Sequence, residues 1–284
     1  MDTKVVHSSP GVTTAPVVLW VEDGLTGEYL LKLWQTHAKL FDVRVGGTCE
    51  TIRAAVHDER TADNRRVFGV IDRDFRPSNH AQWANPDSGI EVFVPPVHEM
   101  ENYLLDWDAL AGCDENQKRH RRARADTEAR AQQEAGRMVW WMACRSVLAK
   151  YRDMLVGDYP HHPKVTDIPD RAAAQAYIAS SPWYSASFPN ATTAIAPAGA
   201  LAADLGSAQT VHVGELNSGR WVQTFSGKEI FRSIRGYLFN SGYASAEAMD
   251  TDLAKSVGEW QHANNCVPTD LVQLRDALKA RVGL

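Results

Sequence analysis

Three groups of carboxylates follow three apolar runs of this chain. Glu22 comes directly after Val17-Val18-Leu19-Trp20-Val21. Asp72 and Asp74 follow Val67-Phe68-Gly69-Val70-Ile71, and Glu99 and Glu101 lie just beyond Ile90-Glu91-Val92-Phe93-Val94. Carboxylates are hard oxygen donors, and one or two of them with substrate phosphate usually hold Mg²⁺. Asp72 and Asp74 are two positions apart, so an extended backbone would turn both to the same side, roughly 7 Å apart at Cβ. That spacing suits one shared cation or two neighbouring ones. Glu22 would complete a first site or act as general base, and Glu99 or Glu101 would hold a second ion. Two ions about 4 Å apart stabilise the attacking and leaving oxygens in phosphodiester cleavage. Any one of these acids could instead cap a helix or solubilise a loop. Three groups at consecutive run ends favour the cation, because crowded carboxylates repel unless something neutralises them.

The positioning elements are readable around these acids. The apolar runs have the length and continuity of strands buried on both faces. Between them, Leu25–Leu40 and Cys49–Glu59 read as helices, the second with Thr48 as N-cap, and Phe41–Val45 reads as another strand. His98–Leu105 reads as helical, which would set His98, Glu101 and Asn102 on one face. A β-α-β-α-β order predicts an α/β fold with a mainly parallel sheet flanked by helices, and ligands then sit beyond the carboxyl ends of the strands. Residues 114–155 predict one or two long helices. Residues 159–169 and 182–200 read as loops. Further helices are expected near Gly227–Phe239, Ser245–Trp260 and Thr269–Val282. The expected layout is a flexible lead over 1–16, a core over 17–112, and a mainly helical region over 113–284 that completes the same fold.

The segments Val-Leu-Trp-Val-Glu22, Gly-Val-Ile-Asp72-Arg-Asp74-Phe and His98-Glu99-Met-Glu101-Asn102-Tyr-Leu-Leu resemble the Toprim fold. More narrowly, they are similar to a Toprim-like family related to the nuclease half of OLD-type ATPase–nucleases, which includes the nuclease effector of the PARIS anti-phage system. The resemblance spans about residues 17–105, with a further echo at Phe225-Ser-Gly227-Lys228-Glu-Ile-Phe. It implies a Mg²⁺- or Mn²⁺-dependent centre in which Glu22, Asp72 and Asp74 bind metal, Glu99 and Glu101 assist, and Lys228 contacts phosphate. It also implies tRNA or DNA as substrate, an OLD-like, ABC-type ATPase and a second copy of the chain as partners, and a role in phage defence. Toprim sequences run Glu-Gly-x-x-Asp after the first strand. Here the run is Glu22-Asp23-Gly24-Leu25-Thr26, so Thr26 replaces the second acid, with Asp23 or Glu28 as the available compensators. The alternative is a catalytically inactive Toprim-like binding or scaffold subunit.

The remaining residues narrow the choice. Lys228 begins a predicted helix, where an amine would offset charge on a phosphate or simply face solvent. Lys118, Arg119, Arg121 and Arg122 form a basic run that would contact a nucleic-acid backbone, or else a solvated helix face or docking surface. Of Trp140 and Trp141, about 100° apart on a helix, at least one belongs to a core. Tyr103 reads as buried, which disfavours a covalent tyrosine intermediate. Carboxylate sites also serve phosphotransferases and nucleotidyltransferases. There is no P-loop, GxSxG or HExxH motif, so ATP hydrolysis would fall to a partner. The 284 residues carry a net charge of −5, which advertises no global affinity for nucleic acid. Four scattered cysteines argue against a zinc site or disulfide framework and fit a reducing cytoplasm. No apolar run approaches a bilayer span and the start lacks signal-peptide character, so a cytoplasmic location without membrane attachment is expected.

Overall fold

The computed structural model describes residues 6–7, 15–76, 89–119, 122–152, 163–180, 200–238 and 245–284. The fold is α/β. Five parallel strands, β1 (Val6–His7), β2 (Val17–Val21), β3 (Phe41–Val45), β4 (Val67–Val70) and β5 (Val92–Phe93), lie in the order β1-β3-β2-β4-β5. The lead expected to be flexible thus supplies a two-residue edge strand, Val6–His7, paired to Arg44 and Val45. The rest of it up to residue 14 lies outside the described residues, as do 182–199 of the second predicted loop and 159–162 of the first.

Helix α1 (Gly24–Leu33) links β2 to β3, and α2 (Cys49–Thr61) links β3 to β4. Helix α1 is shorter than its apolar pattern predicts. The backbone N–H of His37 bonds to the carbonyl of Trp34, closing a turn there. Trp34 is fully buried with its ring 5.0 Å from that of Phe41, so the chain doubles back early to start β3. Thr48 caps α2 as predicted, its hydroxyl accepting from Thr51 N at 3.2 Å. Val18, Ile52, Val56, Val67, Ile71 and Val94 form a buried cluster between α2 and the sheet. Burying such side chains contributes about 1.5–3 kcal/mol each. The last predicted strand is reduced to Val92–Phe93, which pairs with β4 alone at the sheet edge.

This strand order has a functional consequence. The chain leaves β2 toward β3 on one side and leaves β4 toward β5 on the other. Neighbouring strands whose connections diverge open a crevice beyond their carboxyl ends. The crevice here lies between β2 and β4, the strands that Glu22 and Asp72 follow.

Two compact units are present. The first combines Met1–Ala129 with Gly227–Leu284, and the second is Arg130–Ser226. The region expected to begin at 113 is therefore divided, with 113–129 and the last 58 residues belonging with the sheet. Helices α3 (Trp107–Gly112), α4 (Asp114–Arg119) and the start of α5 (Arg124–Arg152) follow β5. The second unit holds the remainder of α5, α6 (Arg171–Ser180), α7 (Ala200–Asn217) and α8 (Trp221–Thr224). Within it Trp141 is buried and Trp140 half-buried. Helices α9 (Gly227–Leu238), α10 (Ala246–Ala263) and α11 (Thr269–Arg281) close the chain close to their predicted bounds. Among the described residues no helix is long and apolar enough to cross a membrane.

Candidate metal centre

Every acid singled out in the sequence belongs to the first unit, and each is placed by a local device. Glu22 caps the end of β2, and its Oε1 accepts from the backbone N–H of Asp72 at 3.1 Å. That bond brings the two strand ends together. Asp72 is 7% exposed, and its Oδ1 accepts from Met100 N at 2.9 Å. The backbone then turns sharply, since Asp74 has φ of 52°, in the left-handed region. Few non-glycine residues adopt it, Asp more readily than most. The extended geometry expected for Asp72 and Asp74 is therefore broken at Asp74, whose N–H bonds to the carbonyl of His98 at 2.8 Å. Arg73 is buried and donates to the carbonyls of Val97 and Arg76. It ties this turn to the segment carrying Glu99.

The predicted helix over His98–Leu105 is instead a 3-10 turn over Met100–Leu104 with Glu99 as N-cap. Asn102 accepts from Glu99 N at 2.7 Å and tightens that cap. His98 lies before the turn and does not share a helical face with Glu101. It joins Asp74 and Glu99 in a group whose ligand atoms all lie within 4.8 Å of one another. The trio shares only Asp74 with the Glu22, Asp72 and Asp74 set expected from sequence, and brings in His98 and Glu99.

Lys228 enters from the start of α9. Gly227 makes this possible, because a Cβ there would lie 2.5 Å from Asn102 N and 2.8 Å from Glu101 C. The N–H of Lys228 donates to Glu99 Oε2 at 2.8 Å. Its ammonium lies 3.2 Å from Asp23 Oδ2 and 3.3 Å from Glu101 Oε1. Asp23 also caps α1, accepting from Thr26 N at 2.8 Å. Of the two possible substitutes for a second acid, Asp23 reaches the centre through Lys228, whereas Glu28 pairs with Lys255 at 3.4 Å. Thr26 is buried at the helix start.

The electrostatics are those of a crowded anionic site. Burial raises Glu22 to about 7, with Asp74 and Asp23 adding repulsion against the Asp72 N–H bond and Lys228. Burial and the neighbouring Glu101 raise Glu99 to about 8. Asp72 is pushed far above the carboxylate range by burial, then by Glu101, Glu22, Glu99 and Asp74. Glu101 is raised by burial despite Lys228. Burial also works against Asp23, yet Lys228 and the Thr26 bonds outweigh it and hold Asp23 below its ordinary value. Burial opposes the Lys228 charge, but Glu101, Asp23, Asp72 and Glu99 overcome it and raise its pKa. Glu101 is 2% exposed, and neither of its oxygens has a hydrogen-bond partner among the described residues. The lysine contact on Oε1 is an ion pair alone.

A buried carboxylate oxygen without a donor carries a full desolvation penalty. A hard cation would relieve it and would quench the mutual repulsion around Asp72. The donor set of carboxylates with one imidazole fits Mg²⁺ or Mn²⁺.

Arg122 donates to the carbonyl of Tyr237 at 3.2 Å and stacks over its ring at 4.5 Å, so it serves packing. Arg121 and the side chains of Lys118 and Arg119 lie outside the described residues. Tyr103 is buried and donates to Asp270 Oδ2 at 3.0 Å, as befits a structural residue. No protein-family model and no curated protein matches this chain.

Proposed function

We propose that this protein is a Toprim-like, Mg²⁺- or Mn²⁺-dependent nuclease that cleaves phosphodiester bonds in tRNA or DNA. The reading extends to a cytoplasmic effector of bacterial anti-phage defence held by an OLD-like ATPase. One observation carries the chemistry: Glu22, Asp72, Asp74, Glu99, Glu101 and Lys228 gather at the β2–β4 crevice, with Glu101 Oε2 buried there without a hydrogen bond among the described residues. The defence role rests on the sequence resemblance.

Asp74, His98 and Glu99 would hold an ion, with Asp72 and Glu101 beside them. A bound ion would supply Lewis acidity and charge neutralisation at the phosphate. Glu22, with a pKa of about 7, is matched to accept a proton from the attacking nucleophile near neutral pH. Lys228 carries a fixed positive charge, well suited to a non-bridging phosphate oxygen. Its present partners, Asp23 and Glu101, hold it in position until a substrate arrives.

The rival reading is a non-catalytic subunit in which Lys228 has become the internal counter-ion of a retired acidic site. Its bridge between Asp23 and Glu101 favours that view, as does Thr26 at the position of the second acid. Labelled tRNA and DNA incubated with the purified protein and Mn²⁺ or Mg²⁺, with and without a neighbouring ATPase, separate the two. Calorimetric titration with Mn²⁺ runs in parallel. Cleavage and ion binding that both disappear in Asp72→Ala support the nuclease, whereas a protein that binds no divalent ion and cuts nothing in any combination is the scaffold.

A further inference from the structure

The acids of the centre fall into two sets. Asp74, His98 and Glu99 offer ligand atoms within 4.8 Å of one another. Asp23 and Glu101 instead share the Lys228 ammonium, at 3.2 Å and 3.3 Å. The oxygens of this second set are largely committed. Asp23 Oδ1 accepts from Thr26 N at 2.8 Å, and Oδ2 meets the ammonium. Glu101 Oε1 meets it too, which leaves Oε2 as the buried oxygen without a hydrogen-bond partner among the described residues. Lys228 also joins the two sets, because its backbone N–H donates to Glu99 Oε2 at 2.8 Å. The other oxygen of Glu99 lies 4.0 Å from His98 Nε2.

The second set borders a cavity of about 580 Å³ in the first unit, walled by the N-terminal end of α1 and by α9 and α10. Asp23, Glu28, Glu101, Glu247 and Asp250 give its walls five carboxylates. Glu28 is paired with Lys255 and Asp250 with Arg235. Such a cavity would admit a hydrated divalent ion and the several waters that Mg²⁺ keeps when bound. The position between Asp23 and Glu101 is nevertheless taken. A lysine ammonium is a compact point charge on a flexible stem, so it can stand between two carboxylates as an ion does.

We infer that the Lys228 ammonium occupies the place of a second metal ion between Asp23 and Glu101, so that the centre takes one divalent ion, at Asp74, His98 and Glu99, and not a pair. The inference rests on the metal-dependent reading of this centre and narrows it to one ion and one fixed organic cation. An ammonium has three N–H donors. Two meet carboxylates here, and the third is left for a substrate oxygen. Mg²⁺ holds its oxygens at about 2.0–2.1 Å, roughly 1 Å nearer than the ammonium holds these two. An ion entering in place of the lysine would therefore draw both carboxylates inward.

The test counts Mn²⁺ ions by equilibrium dialysis and reads their separation by electron paramagnetic resonance. The unmutated protein is expected to bind one ion with the spectrum of an isolated Mn²⁺. Lys228→Met should bind two, with the dipolar broadening of ions about 4 Å apart. Adding Asp23→Asn to Lys228→Met should return the count to one, and Lys228→Arg should never leave it. Lys228→Gln, which keeps a hydrogen-bond donor for the two acids, serves with the same expectation if Lys228→Met does not fold. Two ions in the unmutated protein overturn the proposal without recourse to any variant. A folded Lys228→Met or Lys228→Gln that stays at one ion overturns it as well. Cleavage of labelled tRNA or DNA reports separately on the nuclease reading. If the protein cleaves and binds two ions, the lysine proposal fails and the nuclease stands. If it binds one ion and the variants respond as expected but nothing is cut, the single-ion centre stands and the nuclease fails. A protein that binds no ion overturns both.

Discussion

At the scale of single residues, the acidic centre is a balance of repulsion against buried counter-charge. Glu22 and Glu99, at about 7 and about 8, bind protons more tightly in the folded chain than in the unfolded one. Their contribution to stability is therefore complete below the ordinary carboxylate range and is lost as pH rises through 7 and 8. The metal-free protein should show a falling melting temperature between pH 5 and pH 9, and saturating Mn²⁺ should flatten that fall, as differential scanning calorimetry would record. A flat profile without metal would contradict the assignment. Ion binding should also release protons, so Mn²⁺ affinity should rise across the same window. Glu22→Gln should lower turnover by about 10²–10⁴-fold, the usual contribution of a general base. Lys228→Met leaves Asp23 and Glu101 facing each other unpaired, and removing one partner of a buried pair costs about 3–5 kcal/mol. Because both Lys228 contacts are partly shielded, a chemical-denaturation measurement should show a large loss, partly restored by Mg²⁺.

At the scale of elements, two contacts make sharper claims than the acids do. Gly227 brings the start of α9 against the 3-10 turn of Met100–Leu104, where a Cβ would lie 2.5 Å from a backbone nitrogen. Gly227→Ala must push the two apart and should cost at least 1–3 kcal/mol, roughly the cost of overpacking. It should also reduce cleavage, since the same contact aims Lys228, and Mn²⁺ calorimetry on this variant would separate lost ion binding from lost phosphate contact. The second unit contains a relay of Ser146, His212 and Glu215, with Ser146 Oγ 3.0 Å from His212 Nε2 and His212 Nδ1 3.2 Å from Glu215 Oε2. The spacing is that of a hydrolytic triad, but the chemistry is incomplete. Ser146 lies inside α5, where backbone N–H groups are spent on the helix and none is free to receive an oxyanion. The relay is better understood as a clamp between α5 and α7. Ser146→Ala should lower stability by about 1 kcal/mol and leave nuclease activity unchanged. Loss of an esterase activity in that variant would sink this view.

At the scale of the whole molecule, the chain leaves the sheet after Ala129 and returns at Gly227 to finish the same unit. The returning segment supplies Lys228, Arg232, Arg235 and Asp250, so the centre and the cavity beside it need both ends of the sequence. Truncation before Gly227 should therefore abolish Mn²⁺ binding as well as cleavage, although the predicted carboxylates would all remain. A divalent ion that binds only the folded state should raise the melting temperature in a concentration-dependent way, by the equivalent of about 2.7 kcal/mol at a hundredfold excess over Kd.

What could be read from the chain alone was governed by local rules. Apolar runs fixed the strands, because a buried parallel strand announces itself by continuous hydrophobicity. Thr48 and Ser245 sit at helix starts where their hydroxyls cap the first turn. Carboxylates at strand ends followed from the same pattern, and Glu22 does bond to the backbone of Asp72. The turn at Asp74, the 3-10 geometry around Glu99, and the grouping of His98 with Asp74 depended on contacts made by Arg73 and Asn102 across the fold. No local pattern encodes those. Only packing brought one face of α9 against α1 and α10 to line a cavity. Backbone propensity acts over a few residues, whereas burial and the pairing of charges are settled by whichever distant segments the fold brings together.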